Sequence, residues 1–525
     1  QAAQARAAQV RTYVTAARQA ALASALRANP ADGIGPLGLY PVRSIRDAMA
    51  AQADPSLNTT QKLAAATNAL AAARAANDPT GKATWDGAEL PVETAANGQT
   101  TVSITQTQSR ALLSWDRFDV GANTTVRFNQ TQNGVPQTTW TAVNRVVDAQ
   151  NPTTILGKIV ADGAVYILNS RGVIFGKGSQ VNLRSLVASS LELGNYASAN
   201  DRTASGGSSS GSLAGLSLQA RNIAYLNNGV LPSATNPTYG ADGGAPPLFL
   251  SPMLSTTAVT KSTTGSSIDF DPIEGDVIVD PGAIITTSAG GMLVLAAPRV
   301  ENYGSLIAQD GQVSLIGGRL VTFARSDGSD TSVDPNVRGL IFRSLDRDNQ
   351  LPSPTRPTAP DDGIVINRGF IESRRGYLSL VATARGDVIN EGLLSSTTSV
   401  SRNGKIALYA GRVTIGGSAI ADQAGAITIL PDEDGETIPQ GSPNEPAQFK
   451  RSQIEIGALA FTQTIVSGQP ADDLANPVGR LVQSTFAMGE NALIYAPNAD
   501  VNVGKSGQSQ LGILNTPAAQ SLYAP

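Results

Sequence analysis

The residue types that most often carry chemistry are missing from this chain: its 525 residues include no cysteine and no histidine. Disulfides, thiolate metal sites and cysteine nucleophiles are therefore excluded, and so are the commonest general base and the commonest zinc ligand. Gly207-Ser208-Ser209-Ser210-Gly211 has the GxSxG spacing of serine hydrolases. It stands in a glycine-serine tract rather than between a strand and a helix, and no histidine is present to take the serine proton. Gly504-Lys505-Ser506 ends like a phosphate loop, but Ala499 occupies the place of that loop's first glycine. The acidic groups Asp432, Glu433, Asp434, Glu436 and Asp269, Asp271, Asp276 offer oxygen ligands without full calcium-loop spacing. They read as solvated turns, and no metal or cofactor is expected. Asp310, Arg319 and Arg325 come nearest to the carboxylate-and-cation sets of polysaccharide lyases and hydrolases, a chemistry that requires them on one face.

Composition narrows the choice further. Only 15% of residues are charged, 52 are glycine, and the net charge is -4. That is a turn-rich surface with too little positive charge to hold a polyanion, so nucleic acid is not an expected partner. No apolar run reaches the roughly 18 to 20 residues that cross a bilayer. The first residues, QAAQARAAQ, contain no hydrophobic signal core and fit a mature chain whose export signal has been removed.

The elements that would position any site are strands. Across Leu156 to Leu191, apolar residues alternate with polar ones through Val165, Ile167, Val173, Phe175, Val181, Leu183, Leu186 and Val187, the period of a half-buried strand. Gly163, Gly172, Gly176 and Gly178 interrupt the runs where the chain must turn. Such a segment needs like segments stacked upon it, which predicts a solenoid. Similar runs return at 293–297, 313–318, 378–383, 406–411 and 427–430. Asn302-Tyr303-Gly304, Asn367-Arg368-Gly369 and Asn390-Glu391-Gly392 mark corners at which asparagines would bond from coil to coil. About 15 coils stacked some 4.8 Å apart would make a rod on the order of 70 Å long.

The sequence divides into an α-helical head over 1–78, a linker over 79–99, the solenoid over 100–503 and an extended tail over 504–525. Excursions leave the coils near 195–266, 326–362 and 431–450 as surface loops. The head holds three predicted helices, over Gln1 to Ala28, Ser44 to Ala53 and Thr60 to Ala76, with Asn58 and Thr59 as capping candidates. It suits either a cap on the solenoid's open end or an arm that docks on another subunit. The docking candidates are Val10, Arg11, Val14, Arg18, Leu63 and Leu70. Trp115 and Phe128 read as core anchors.

From Ser109 to Leu193, the segments LLSWDRFDVGANTTVRFNQ, AVNRV, ILGKI, ADGAVYILNSRGVIFGKGSQVN and LVASSL resemble the secretion domain of two-partner-secretion exoproteins, the filamentous-haemagglutinin-like family. The resemblance resumes more loosely at 275–318, so the secretion-domain-like region extends over 109–318. It implies a right-handed parallel β-helix, cleavable export across the inner membrane, and passage through a dedicated outer-membrane β-barrel transporter that recognises the chain while extended. The family's recognition motifs fall on Asn144, Arg145 and Val146, and on Asn169, Ser170, Arg171, Gly172 and Val173, with Ser170 and Arg171 where the family has proline and asparagine.

These readings converge on a non-enzymatic, secreted or cell-surface structural protein. It would be a fibre or adhesin subunit that self-assembles end to end as a homo-oligomer or filament, or the secretion domain of a larger monomeric adhesin, meeting a host or bacterial surface glycan or protein. A β-helical polysaccharide lyase or hydrolase is the rival class.

Overall fold

Short apolar runs broken by glycine and asparagine corners form three long sheets in the computed structural model. It describes residues 30–75, 85–147, 149–193, 249–250, 275–318, 320–325, 340–344, 363–374, 376–382, 386–396, 405–410, 412–421, 426–431, 453–456, 485–488, 493–495 and 500–503. Each coil gives one strand to each sheet in rotation. Thr153–Ile155 enters sheet III, Lys158–Ala161 sheet II and Ala164–Asn169 sheet I; the next coil follows with Gly172–Phe175, Gln180–Leu183 and Ser185–Ser189. Successive strands pair parallel and in register, Thr153 with Val173, Lys158 with Gln180, and Ala164 with Ser185. This is a mainly β chain wound as a parallel β-helix with few helices.

The twelve-stranded sheet I contains two antiparallel members, Leu39–Pro41 and Trp85–Asp86, which leaves ten parallel strands. The described column therefore has ten coils, on the order of 45 Å at about 4.8 Å each, and not the fifteen expected from chain length. The excursions account for the difference, because the column closes behind them. Gly172–Phe175 pairs directly with Asp276–Val279, and Gln312–Gly317 directly with Tyr377–Val381.

Inside, every coil contributes fully buried aliphatic residues to one continuous core, from Val165, Val173 and Val181 to Leu380, Val388 and Leu394. The predicted corners are present and stack. Asn302 donates to Asn367 (2.8 Å), which donates to Asn390 (2.7 Å), and all three are fully buried. Two residues on from each, the glycines lie so close that a Cβ at Gly369 would stand 2.2 Å from the Gly304 carbonyl oxygen. A Cβ at Gly392 would be as near to that of Gly369. Sequence shows glycine at these places because coil spacing leaves no room for a side chain.

Two expectations are corrected by a second core. The strands of sheet I are not half-buried: Tyr166, Leu168, Val187, Val294, Ala296 and Ile316 point away from the main core and are buried with Val321 in a separate apolar cluster. Val321 belongs to Leu320–Arg325, part of a four-stranded sheet with Glu192–Leu193, Phe249–Leu250 and Leu340–Ser344. The stretch 326–362, read as loop, thus contains a strand at Leu340–Ser344, antiparallel to Leu320–Arg325.

At the N-terminal end, helix α1 spans Arg43–Ala53 and helix α2 spans Thr59–Ala75. Asn58 and Gln61 cap α2 reciprocally, each side-chain oxygen accepting the other's backbone N–H at 2.9 Å. The first predicted helix, with Val10, Arg11, Val14 and Arg18, lies outside the described residues, as do 195–248, 251–266, 432–450 and the tail 504–525. The linker read over 79–99 is corrected from Trp85 onward: Trp85–Asp86 pairs with Arg110–Phe118, and Val92–Ala96 pairs with Gln99–Thr105. Burial drives this, since Trp85 is fully buried and meets Trp115 edge to face at 5.2 Å. Trp115 and Phe128 are core residues as expected.

Candidate functional site

The two segments that the sequence resemblance singles out are brought together. Asn144, Arg145 and Val146 lie on strand Thr141–Val146, whose neighbour on one side is Arg110–Phe118 and on the other Ala164–Asn169. Val146 sits opposite Asn169, so the first motif ends where the second begins.

Asn144 faces inward and is fully buried. Its Oδ1 accepts the Trp115 indole N–H (3.1 Å), and its Nδ2 donates to the Tyr166 carbonyl (3.2 Å). An unpaired indole N–H at this depth would cost about 1–3 kcal/mol, and asparagine supplies the acceptor without adding charge. Arg145, half-buried, points to the opposite face beside Leu168. Val146 joins the main core.

Asn169 closes its strand with three bonds. Its Nδ2 donates to the Asn151 carbonyl and to Thr153 Oγ1, both at 3.0 Å, and its Oδ1 accepts the Arg171 N–H at 2.8 Å. Arg171 reaches back through Nε to the Ala149 carbonyl (3.0 Å). Asx-turn geometry of this kind needs no proline, which explains how Ser170 and Arg171 serve here. Gly172 has φ of 110° and leaves a would-be Cβ 2.3 Å from the Asp276 carbonyl oxygen, so only glycine fits. Val173 returns to the core. In the folded chain, Asn169 and Arg171 hold the corner at 149–153.

Other nearby polar groups carry weaker sequence signals. Gln130 donates to Gln106 (3.0 Å) and accepts the Gly163 N–H (2.6 Å), all of it buried; only the 24-residue interval between the two glutamines, about one coil, hints at it. Asp119 accepts the Thr154 N–H at 2.8 Å and pairs with Arg117 Nε at 2.8 Å. Burial raises its pKa to about 6, against the lowering effects of the Thr154 N–H and Arg117.

The remaining candidates are dispersed. Asp310 occupies a left-handed turn (φ 50°) before Gln312–Gly317, Arg325 ends a strand of the antiparallel sheet, and Arg319 lies outside the described residues. Ser208, Asp269, Asp271, the 432–436 cluster and Lys505 also lie outside them, while Asp276 begins a sheet III strand. Among the described residues, no group of three or more Asp or Glu is arranged to hold a metal ion. Leu63 is exposed on α2, and Leu70 belongs to the same helix.

The family model of the TPS secretion domain matches residues 75–219, the stretch that contains both motifs and the first coils. Over these residues the chain is similar to a TPS secretion domain. The heme/hemopexin-binding protein of Haemophilus influenzae is 35% identical over 92 residues, 18% of this chain and 9% of that protein. In strain Rd, a protein of the same description is 35% identical over 105 residues, 20% of this chain and 11% of its own length. The matches thus span about a tenth of these relatives. The crystal structure of the HMW1 secretion domain from Haemophilus influenzae aligns with 80% of this chain and 98% of its own, at 15% identity and a TM-score of 0.38. The TPS secretion domain belongs to exoproteins exported by two-partner secretion, and in this chain Asn144 and Asn169 are buried in the β-helix.

Proposed function

We propose that this chain is exported through an outer-membrane β-barrel transporter and then serves outside the cell as a non-enzymatic β-helical scaffold, a surface fibre or adhesin. The observation that carries the reading is the TPS match over 75–219, which falls on coils in which Asn144 and Asn169 are buried. Because Asn144 and Asn169 are buried once folded, the transporter would read Asn144–Val146 and Asn169–Val173 before the coils close. Coil-by-coil stacking supports this order, since each strand pairs with the one just laid down and needs no distant partner. The winding is taken as right-handed, the usual hand of parallel crossovers. The helical segment up to 78 would be a cap, 100–503 the scaffold, and the excursions the surface offered to a host or bacterial glycan or protein. Heme and hemopexin binding stays with the relatives so named, because the matches cover only 9% and 11% of them.

Export is tested in a Gram-negative host with and without a two-partner transporter. The chain should reach the medium only when the transporter is present. Release without it, or retention with it while a known exoprotein passes, would overturn the reading. A complete subunit that associates end to end is the version in which α1, α2 and the residues before them make the contact. Removing 1–76 should then leave the rod folded and abolish long assemblies in electron micrographs.

A further inference from the structure

Sheet I is apolar on both faces, and the two faces are closed in different ways. The inward face is closed by the column itself, since each coil supplies all three walls of the main core. The outward face carries apolar rows that run along the rod. In-register pairing lines up Val143, Tyr166, Val187 and Val294 in one row, and Ala296 and Ile316 in a second. All six are buried, together with Val321 of the four-stranded antiparallel sheet. That covering sheet is hinged on the column at two places. Glu192–Leu193 follows directly on the sheet I strand Ser185–Ser189, and Leu320–Arg325 on Gln312–Gly317. Phe249–Leu250 joins the two, with only two residues paired to each, and Leu340–Ser344 is added to Leu320–Arg325.

Three features let this cover move without the column. The sheet I strands beneath it are paired on both sides by other coils, as Ala164–Asn169 is by Thr141–Val146 and Ser185–Ser189. Buried polar groups on the covered face bond within the column: Ser189 Oγ donates to the Ala296 carbonyl (2.7 Å), the Ser314 and Ser379 hydroxyls meet at 2.8 Å, and Gln312 Nε2 donates to Ser314 Oγ (3.0 Å). These bonds persist when the cover lifts, so opening leaves them satisfied. Chain order supplies the third feature. Val187 precedes Leu320 by 133 residues (320 − 187), so a chain delivered from its N-terminus winds these coils before their cover arrives. We propose that the antiparallel sheet is a lid, which opens off sheet I as a unit while the column stays wound. Its opening uncovers a flat apolar face along the rod.

The chain has no cysteine, so a single introduced thiol reports on its own position. Val187→Cys places it under the lid and Val181→Cys places it in the main core of the same coil; both valines are fully buried. The two full-length variants are labelled with iodoacetamide in urea below the main unfolding transition, with circular dichroism reporting the column. Val187→Cys should label about tenfold faster than Val181→Cys, a difference of about 1.4 kcal/mol between the two openings. Val294→Cys under the lid and Val300→Cys in the main core repeat the comparison if the first pair disturbs the fold. Val321→Asp puts a charge beneath the lid. It should speed labelling of the Val187→Cys thiol further and leave the Val181→Cys rate and the circular dichroism unchanged. Equal rates at the two positions, a faster rate for Val181→Cys, or loss of the column's signal in Val321→Asp would overturn the proposal. Labelling needs no transporter and appearance in the medium needs no label, so the lid and the export route fail separately.

Discussion

The coils near residues 110–190 and those near 300–417 solve one problem in two ways. Each must place polar side chains inside a column of aliphatic residues. In the earlier coils the buried amides each have a different kind of partner: Asn144 takes the Trp115 indole, Gln130 takes Gln106 and the Gly163 N–H, and Asn169 holds a corner through Asn151 and Thr153. In the later coils one solution repeats, with Asn302, Asn367 and Asn390 bonded in a line and Gly304, Gly369, Gly392 and Gly417 closing up beside them. Individual pairings fix which strand meets which, whereas a repeated ladder adds similar energies from coil to coil. The first region therefore specifies register, and the second extends it.

The largest way to break that contrast lies in the first region. Trp115→Ala should destabilise by about 3–5 kcal/mol, because it opens a cavity beside Trp85 and Phe118 and strands the Asn144 carbonyl. Urea unfolding followed by the fluorescence of Trp85 and Trp140 measures it, and a loss below about 1 kcal/mol would mean that the aromatic cluster is not the anchor. In the ladder, Gly369→Ala should cost about 1–3 kcal/mol, since the new methyl meets the Gly304 carbonyl at 2.2 Å. Circular dichroism should register this loss while tryptophan fluorescence barely changes, and equal shifts of both signals would contradict independent regions. A smaller difference separates two rungs: Asn367→Ala breaks ladder bonds on both sides, and Asn302→Ala breaks one, so the first should cost more by about 1 kcal/mol. Equal costs would reduce the ladder to unrelated corners.

The smallest effect at neutral pH is expected at Asp119. Its carboxyl is raised to about 6 when folded, above the ordinary 3.8, chiefly by burial. The folded state therefore binds the proton more tightly, and this stabilisation is complete below about 3.8 and lost as pH rises through about 6. Asp119→Asn should flatten the stability profile between those values. A profile that keeps its slope in the variant would assign it to other groups.

Much of this was legible in the residues themselves. Runs such as LVLAA and IALYAG, set between Asn-x-Gly corners, became strands of sheet I and a bonded asparagine ladder. Their spacing encodes the fold because each coil repeats the same local requirement. Asn144 was legible only as part of a motif, since no periodicity announces that an asparagine will be buried against a tryptophan 29 residues away. Trp85 was hidden in a stretch whose glycine, proline and alanine content reads as linker, and its partner is supplied by tertiary contact. The second core had a visible trace. AVYIL, SLVAS and MLVLAA are apolar on both faces, which a strand open to water on one side would not be.

One consequence follows from the way Ile174 meets Ile278 as if the hundred residues between them were not there. A rung accepts its successor by shape alone and takes no account of how long the chain wandered beforehand. The gaps between rungs are thus sockets, in which foreign sequence can be inserted or exchanged while the shaft below keeps its registration. In a molecule of this kind, variety can accumulate at the detours without any change to the shaft that carries them.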